Sequence, residues 1–248
     1  MEFLGEGDLY RKFAGYYDKI YENVDYVKEA EFIKWAVKTH KQNEGRKLLD
    51  VACGTGTHAS VLIEDFQVIG VDISEDMMKI ARKKVPNAQF IHGDMKKLDL
   101  REKFDVVICM FSAIHYNTSY NELETTLKNF YNQLNDGGVV IFDFGLNQNN
   151  WIEGLVSVDT VVEEDLKIAR ICQSNREGFV FNANFVFLVK ENGKVDFDID
   201  QHRLGIFDME KTVEIMKKIG FEINIYADFS SKEWENGEGE RPIFVGVK

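Results

Sequence analysis

The run Leu48-Leu49-Asp50-Val51-Ala52-Cys53-Gly54-Thr55-Gly56-Thr57-His58 decides the fold. Its first half, from Lys47 to Val51, is apolar enough for a buried strand. Its second half breaks into a glycine turn, and a helix is expected to restart near His58. Glycines at such a strand-to-helix turn let the backbone come close to a nucleotide-like ligand, because no Cβ stands in the way. Gly54-x-Gly56-x-x-Ala59 also satisfies the loose dinucleotide pattern, which tolerates a small third residue. Taken alone, the run selects a cradle and no particular nucleotide.

The strands that follow narrow the choice. Gln67 to Val71 ends in Asp72, followed by Ile73. A carboxylate at this point, about 20 residues beyond the glycines, can accept hydrogen bonds from both ribose hydroxyls of a nicotinamide dinucleotide (NAD) or of S-adenosylmethionine (SAM). A third strand, Gln89 to His92, runs into Gly93-Asp94-Met95. That puts a second acid where it can accept from an adenine amine. A fourth strand spans Phe104 to Met110, and Gly137-Gly138 introduces a fifth, Val139 to Phe144. Between them, Ser74 caps a helix from Glu75 to Lys84, and the capping box Ser119-x-x-Glu122 starts another from Tyr120 to Leu134. Strands alternating with helices predict an α/β, doubly wound, seven-stranded and mostly parallel sheet of Rossmann type. A dehydrogenase remains the alternative, but no tyrosine here has a lysine four residues later.

Composition removes other classes. With 248 residues and 44% apolar content, the chain can bury an ordinary core, and its formal charge of −12 offers no broad basic face for nucleic acid or anionic membrane. Cys53, Cys109 and Cys172 lie far apart, so neither a disulfide framework nor a metal site is expected. The N-terminus has no basic region before an apolar stretch, and no segment is apolar for long enough to span a bilayer. The expectation is a cytoplasmic monomer or homodimer acting on a small molecule, without a metal.

Outside the core, Phe13, Tyr16, Tyr17, Ile20 and Tyr21 recur at helical spacing, and Val27 to Lys41 continues as an amphipathic helix. We expect residues 1–46 to form a helical cap. Val156 to Val162, Lys167 to Ser174, Phe179 to Lys190 and Lys194 to Phe207 are rich in β-branched and aromatic residues, and Asn192-Gly193 is a tight-turn signal. They predict an antiparallel insertion, residues 151–205, after the fifth strand. Residues 206–248 then return to the core, 47–150, through a helix from Met209 to Ile219 and a closing hairpin. Met110 to Asn117 forms the loop at the carboxyl end of the fourth strand, where open α/β sheets put ligands. His115 and Tyr116 in that loop are the candidate catalytic groups.

The ordered set Asp50-x-x-x-Gly54-x-Gly56, Gly70-Val71-Asp72, Gly93-Asp94-Met95, Phe104-Asp105-Val106-Val107 and Gly137-Gly138 resembles the class I SAM-dependent methyltransferases. Further segments resemble the N-methyltransferases that dimethylate nucleotide-linked deoxyaminosugars. These include Asp25-Tyr26 with Glu29-Ala30, Asp76-Met77, Cys109-Met-Phe-Ser112, Ile168-Ala-Arg170, His202-Arg203 and Phe244-Val-Gly246. The resemblance implies that Asp50, Ala52, Gly54 and Gly56 hold the methionyl part of SAM and Asp72, with Ile73 beside it, the ribose. Asp94, Met95 and Met77 would take the adenine, Met110 the methyl, and Tyr17 and Tyr26 would cover the site. Arg170, His202, Arg203 and Arg241 are the implied substrate contacts. Two departures stand out: Asp143-Phe144-Gly145 replaces paired tryptophans of the family, and the family's loop histidine falls on Tyr116, with His115 one place earlier. Transfer to nitrogen needs a neutral amine, so a base near the acceptor would help. N- or O-methylation of another small metabolite is the alternative within this class.

Overall fold

The structure is a computed structural model and describes residues 13–146, 154–235 and 241–248. Its helices are α1 Tyr17–Ile20, α2 Tyr26–His40, α3 Thr57–Leu62, α4 Glu75–Lys84, α5 Tyr120–Gln133 and α6 Met209–Ile219. Strands β1 Lys47–Val51, β2 Gln67–Asp72, β3 Gln89–His92, β4 Phe104–Cys109, β5 Leu134–Asp143, β10 Glu222–Ala227 and β11 Pro242–Val247 form one sheet in the order β3-β2-β1-β4-β5-β11-β10. All pairs from β3 to β5 are parallel, and β11 runs antiparallel to both neighbours.

Parallel strands covered on both faces should be apolar throughout. That is true of β4, where all six residues are buried. Alternation along β1 sends Leu48 into a layer with Ile33, Ala36 and Leu62, and Leu49 into the opposite layer with Leu123, Leu127 and Phe130. Burying each such side chain contributes about 1.5–3 kcal/mol, so α2 and α5 are held chiefly by these faces. The chain winds outward from β1 to β3, then returns to lay β4 on the other side of β1. The site therefore belongs at the β1/β4 switch point, beyond the strands' carboxyl ends.

The fifth strand begins at Leu134, earlier than the glycine pair suggests. Its register on β4 shifts between Phe104 and Val106, and Gly137 turns there with φ 72°. The expected helix from Phe13 to Tyr21 is a 3-10 turn, Ala14–Tyr16, followed by α1.

The insertion is a separate four-stranded antiparallel sheet of β6 Val156–Val162, β7 Leu166–Glu177, β8 Val180–Glu191 and β9 Lys194–Gly205, in that order. Its inner face packs Val161, Leu166, Ile168, Phe187 and Val189 against Phe13, and its outer face carries apolar residues as well. The face turned to the rest of the molecule buries Arg170, Asp200 and His202 along with Phe187. The outer face presents the cross-strand row Val158, Ile171, Val186 and Ile199, and beside it Leu188 and Phe197, all exposed.

Candidate active site

Two chain reversals build the site. After β1 the backbone passes through left-handed conformations at Ala52 (φ 58°), Gly54 (φ 54°) and Gly56 (φ 75°); after β4 it does so at Phe111 (φ 61°) and Ser112 (φ 59°). Left-handed geometry costs a non-glycine residue about 1–2 kcal/mol, so three such residues beside the switch point mark a place where shape outweighs stability. Asp143, fully buried at the end of β5, holds the second reversal. Ser112 donates to its two oxygens from N–H at 2.7 Å and from the hydroxyl at 2.8 Å, and Arg241 Nη1 lies 3.4 Å away. Burial raises the Asp143 pKa while Arg241 and Ser112 oppose it. The acid that departs from the family pattern thus pins the loop carrying Phe111.

Between the reversals lies a partly open cleft, lined by Tyr17, Tyr26, Asp50, Ala52, Cys53, Gly54, Thr55, Thr57, His58, Met110 and Phe111. Asp50 is 2% exposed, and its Oδ2 has no hydrogen-bond partner. Burial pushes its pKa up to about 7, with His58 opposing and Asp72 reinforcing the shift. A buried carboxylate oxygen left without a donor is expensive, and a ligand ammonium would satisfy it. Behind it, His58 Nε2 lies 2.7 Å from Glu29 Oε2, both side chains being buried. Burial alone would lower the His58 pKa, but Glu29, Asp50 and Asp143 raise it overall. Asp72 accepts from Gly54 N–H through Oδ2 and from Ser74 N–H through Oδ1, each at 2.8 Å. Burial raises its pKa against those bonds and a further one from Ile73 N–H, and the carboxylate's remaining acceptor capacity suits a ribose hydroxyl. Ile73, 65% exposed, stands next to it, and Asp94 caps the turn Met95–Lys97 by accepting from Lys96 N–H at 2.9 Å. The residues present therefore fit an amino-acid group at Asp50 and a ribose at Asp72.

Residues 48–138 match the methyltransferase domain family. The chain is 33% identical to a dTDP-3-amino-3,4,6-trideoxy-alpha-D-glucopyranose N,N-dimethyltransferase of Streptomyces venezuelae, over 94% of this chain and 97% of that one. This chain belongs to the SAM-dependent methyltransferases. The crystal structure of Streptomyces venezuelae DesVI superposes with a TM-score of 0.84, at 33% identity, covering 95% of this chain and 98% of that one. SAM-bound CalS10, an amino pentose methyltransferase from Micromonospora echinaspora, superposes at 0.77 and 25% identity, covering 99% and 98%.

In this methyltransferase the expected site residues divide. Tyr17, Tyr26, Asp50, Ala52, Gly54 and Met110 meet at the cleft. Gly56 instead caps α3, where an added Cβ would stand 3.0 Å from that of Ala81. Met77, expected beneath the adenine, is 0% exposed and belongs to the interior; Met95, 9% exposed, also lies in the core, receiving an amide contact from Asn117. His115, expected as a base, is fully buried. Its Nδ1–H donates to the Gly205 carbonyl at 2.7 Å, and its Nε2 accepts from Leu146 N–H at 3.2 Å. Burial lowers its pKa to about 4, so the ring is neutral and both nitrogens are committed to the fold. Arg203 is exposed on the outer face of β9, opposite to His202, because side chains alternate along a strand. Arg170 does reach the inner face, but Asp159 binds its Nε and Nη2 at 2.9 and 2.7 Å and Tyr21 its Nη1 at 2.6 Å. It joins α1 to the insertion rather than offering a free cation.

Sequence reasoning passed over Asp18, Thr55, Thr57 and Lys84, which join α1 to the glycine turn. Thr55 and Thr57 donate to Asp18 Oδ1 at 2.5 and 3.3 Å, and Lys84 Nζ lies 2.7 Å from Asp18 Oδ2. No local pattern reveals a contact between such distant segments. Tyr10 and the loop 236–240 lie outside the described residues. Among the described residues, no cluster of His, Cys, Asp or Glu could hold a metal, and no helix is long and apolar enough to cross a membrane.

Proposed function

We propose that this methyltransferase methylates the amine of a nucleotide-linked deoxyamino sugar. Its relatives' acceptors support the reading, and one observation carries it: the insertion buries the polar side chains of Arg170, Asp200 and His202 on the face that meets the loop from Phe111 to Tyr116. Bound SAM supplies a methyl group to a nucleophile aligned opposite its sulfur, and the C–S electron pair leaves with the sulfur. Asp50 and the glycine turn would hold the amino-acid end, Asp72 the ribose, with Ile73 and Asp94 toward the adenine. Tyr17 and Tyr26 would exclude water above the cleft. The protein's contribution is then mostly alignment, which is worth several kcal/mol when the reacting atoms sit about 3 Å apart. Arg241, anchored by Asp143 yet 38% exposed, is suited to a diphosphate. In this reading residues 47–150 and 206–248 form the cofactor core, 151–205 the substrate platform and 1–46 a cap.

Incubating the protein with labelled SAM and dTDP-3-amino-3,4,6-trideoxyglucose tests the proposal. Product carrying one and then two added methyl groups supports it; methyl transfer only to other amines or phenols in a panel overturns the acceptor.

Cysteines that are unpaired and mostly buried suit a reducing cytoplasm. The outer face of the insertion suits a second copy of the chain. Its four central cross-strand rows carry no carboxylate, in a chain with 42 acids, and a face of four strands covers on the order of 800 Å², the area a stable dimer buries on each partner.

A further inference from the structure

The inner face of the insertion holds a connected trio of polar side chains. Tyr116 Oη lies 2.6 Å from His202 Nδ1, and His202 Nε2 lies 2.8 Å from Asp200 Oδ2. Asp200 and His202 are 3% and 5% exposed, two residues apart on β9 and therefore on the same face, while Tyr116 is half-buried at the end of the turn Ala113–Tyr116. An ionised carboxylate only accepts, so the ring proton sits on Nε2 and is donated to Asp200. Nδ1 is left as the lone-pair nitrogen, which accepts from the Tyr116 hydroxyl.

The trio stands beside the cofactor cleft. Phe111, which lines the cleft, meets the ring of Tyr21 at 4.9 Å. The Arg170 guanidinium lies 4.8 Å from Tyr21 and 5.4 Å from Phe185, and Phe185 meets His202 edge-on at 5.3 Å. The short turn from Phe111 to Tyr116 joins the cleft's lining to the trio, and an acceptor seated against Phe111 on that side is what the path requires.

The geometry points to a proton path in which Tyr116 touches the acceptor nitrogen, His202 stores the proton and Asp200 is a positioning residue that fixes the ring's tautomer. It rests on the reading that the acceptor is an amine. An amine that arrives as ammonium has no lone pair. Its N–H bond breaks as the Tyr116 oxygen takes that proton, and the Tyr116 O–H proton passes to His202 Nδ1. The electron pair stays on nitrogen, ammonium and neutral imidazole become amine and imidazolium, and total charge is unchanged. Once the product has left, the proton returns through Tyr116 to water, and the path is reset for the next methyl. The charged groups on this face are Lys194, Asp196, Asp198 and Asp200 on β9, Glu191 on β8, Arg170 and Arg176 on β7 and Asp159 on β6, while Arg203 points the other way and His115 is neutral and held elsewhere.

Kinetics with dTDP-3-amino-3,4,6-trideoxyglucose and SAM test the path. Tyr116→Phe and Asp200→Asn should each lower kcat by about 10²-fold, with KM for both substrates unchanged. The double variant should be no slower than Tyr116→Phe alone. The loss should shrink as pH rises past the acceptor's own pKa, where the amine arrives neutral. Unchanged kcat in Tyr116→Phe, losses that multiply, or a deficit equal at every pH would overturn it. If wild-type protein does not turn over this sugar, the acceptor reading fails. The path is then judged by nitrogen NMR of the His202 ring: protonation at Nε2 that is weakened in Asp200→Asn supports it, and protonation at Nδ1 in the wild type refutes it.

Discussion

Asp50 carries the sharpest expectation of any residue in this methyltransferase. Its pKa near 7 lies above that of an exposed carboxylate, so the ligand-free fold binds more protons than the unfolded chain between about pH 4 and 7. Asp50 therefore costs stability as pH rises through that window. A bound ammonium needs the ionised form. SAM affinity should rise from pH 6 to pH 8, and Asp50→Asn should both weaken binding and flatten the dependence; calorimetry at several pH values reads both. Asp72→Ala should weaken SAM binding more than tenfold while circular dichroism stays native, and unchanged affinity would remove Asp72 from the ribose. His115→Ala should behave as a structural lesion, because both ring nitrogens serve the fold. A loss of roughly 2–4 kcal/mol is expected, seen as a fall of roughly 5–15 °C in Tm. A variant of native Tm with turnover abolished would contradict that assignment.

At the level of elements, α1 spans two bodies. Asp18 ties it to the glycine turn, and Lys19 with Glu163, 2.5 Å apart, and Tyr21 with Arg170 tie it to the insertion. Asp18→Ala should release one side and speed SAM dissociation about fivefold, the equivalent of roughly 1 kcal/mol, in stopped-flow fluorescence. An unchanged rate would mean that α1 does not gate the cleft. The strands and turns of the cofactor core were legible because their signals are local: apolar runs, Gly54 and Gly56, acids at strand ends, and Ser74 and Ser119 as caps. What stayed hidden depends on how faces meet. The sequence puts His115 and Tyr116 side by side in a mouth loop, but the 3-10 turn sends the first inward to Gly205 and the second toward His202. Alternation on β9 separates His202 from Arg203 in the same way. The apolar spacing of α4 does not say that Met77 is sealed from any ligand. The ties of Asp18 and Arg170 cross long stretches of chain and leave no periodic trace.

For the whole molecule, the exposed apolar outer face of the insertion sheet calls for a covering surface. If a second copy supplies it, the protein should sediment as a dimer at micromolar concentration, and Val186→Lys with Ile171→Glu should leave a folded monomer. A wild-type monomer would mean that the exposed row of Val158, Ile171, Val186 and Ile199 serves some other contact. The molecule's function depends on the cleft at the β1/β4 switch point gripping SAM through Asp50 and Asp72. Calorimetric titration of SAM into wild-type, Asp50→Asn and Asp72→Ala protein tests that most directly. Saturable one-to-one binding to wild type, weakened more than tenfold in Asp72→Ala and made insensitive to pH in Asp50→Asn, is the predicted result; equal binding by all three proteins, or none by the wild type, would contradict it.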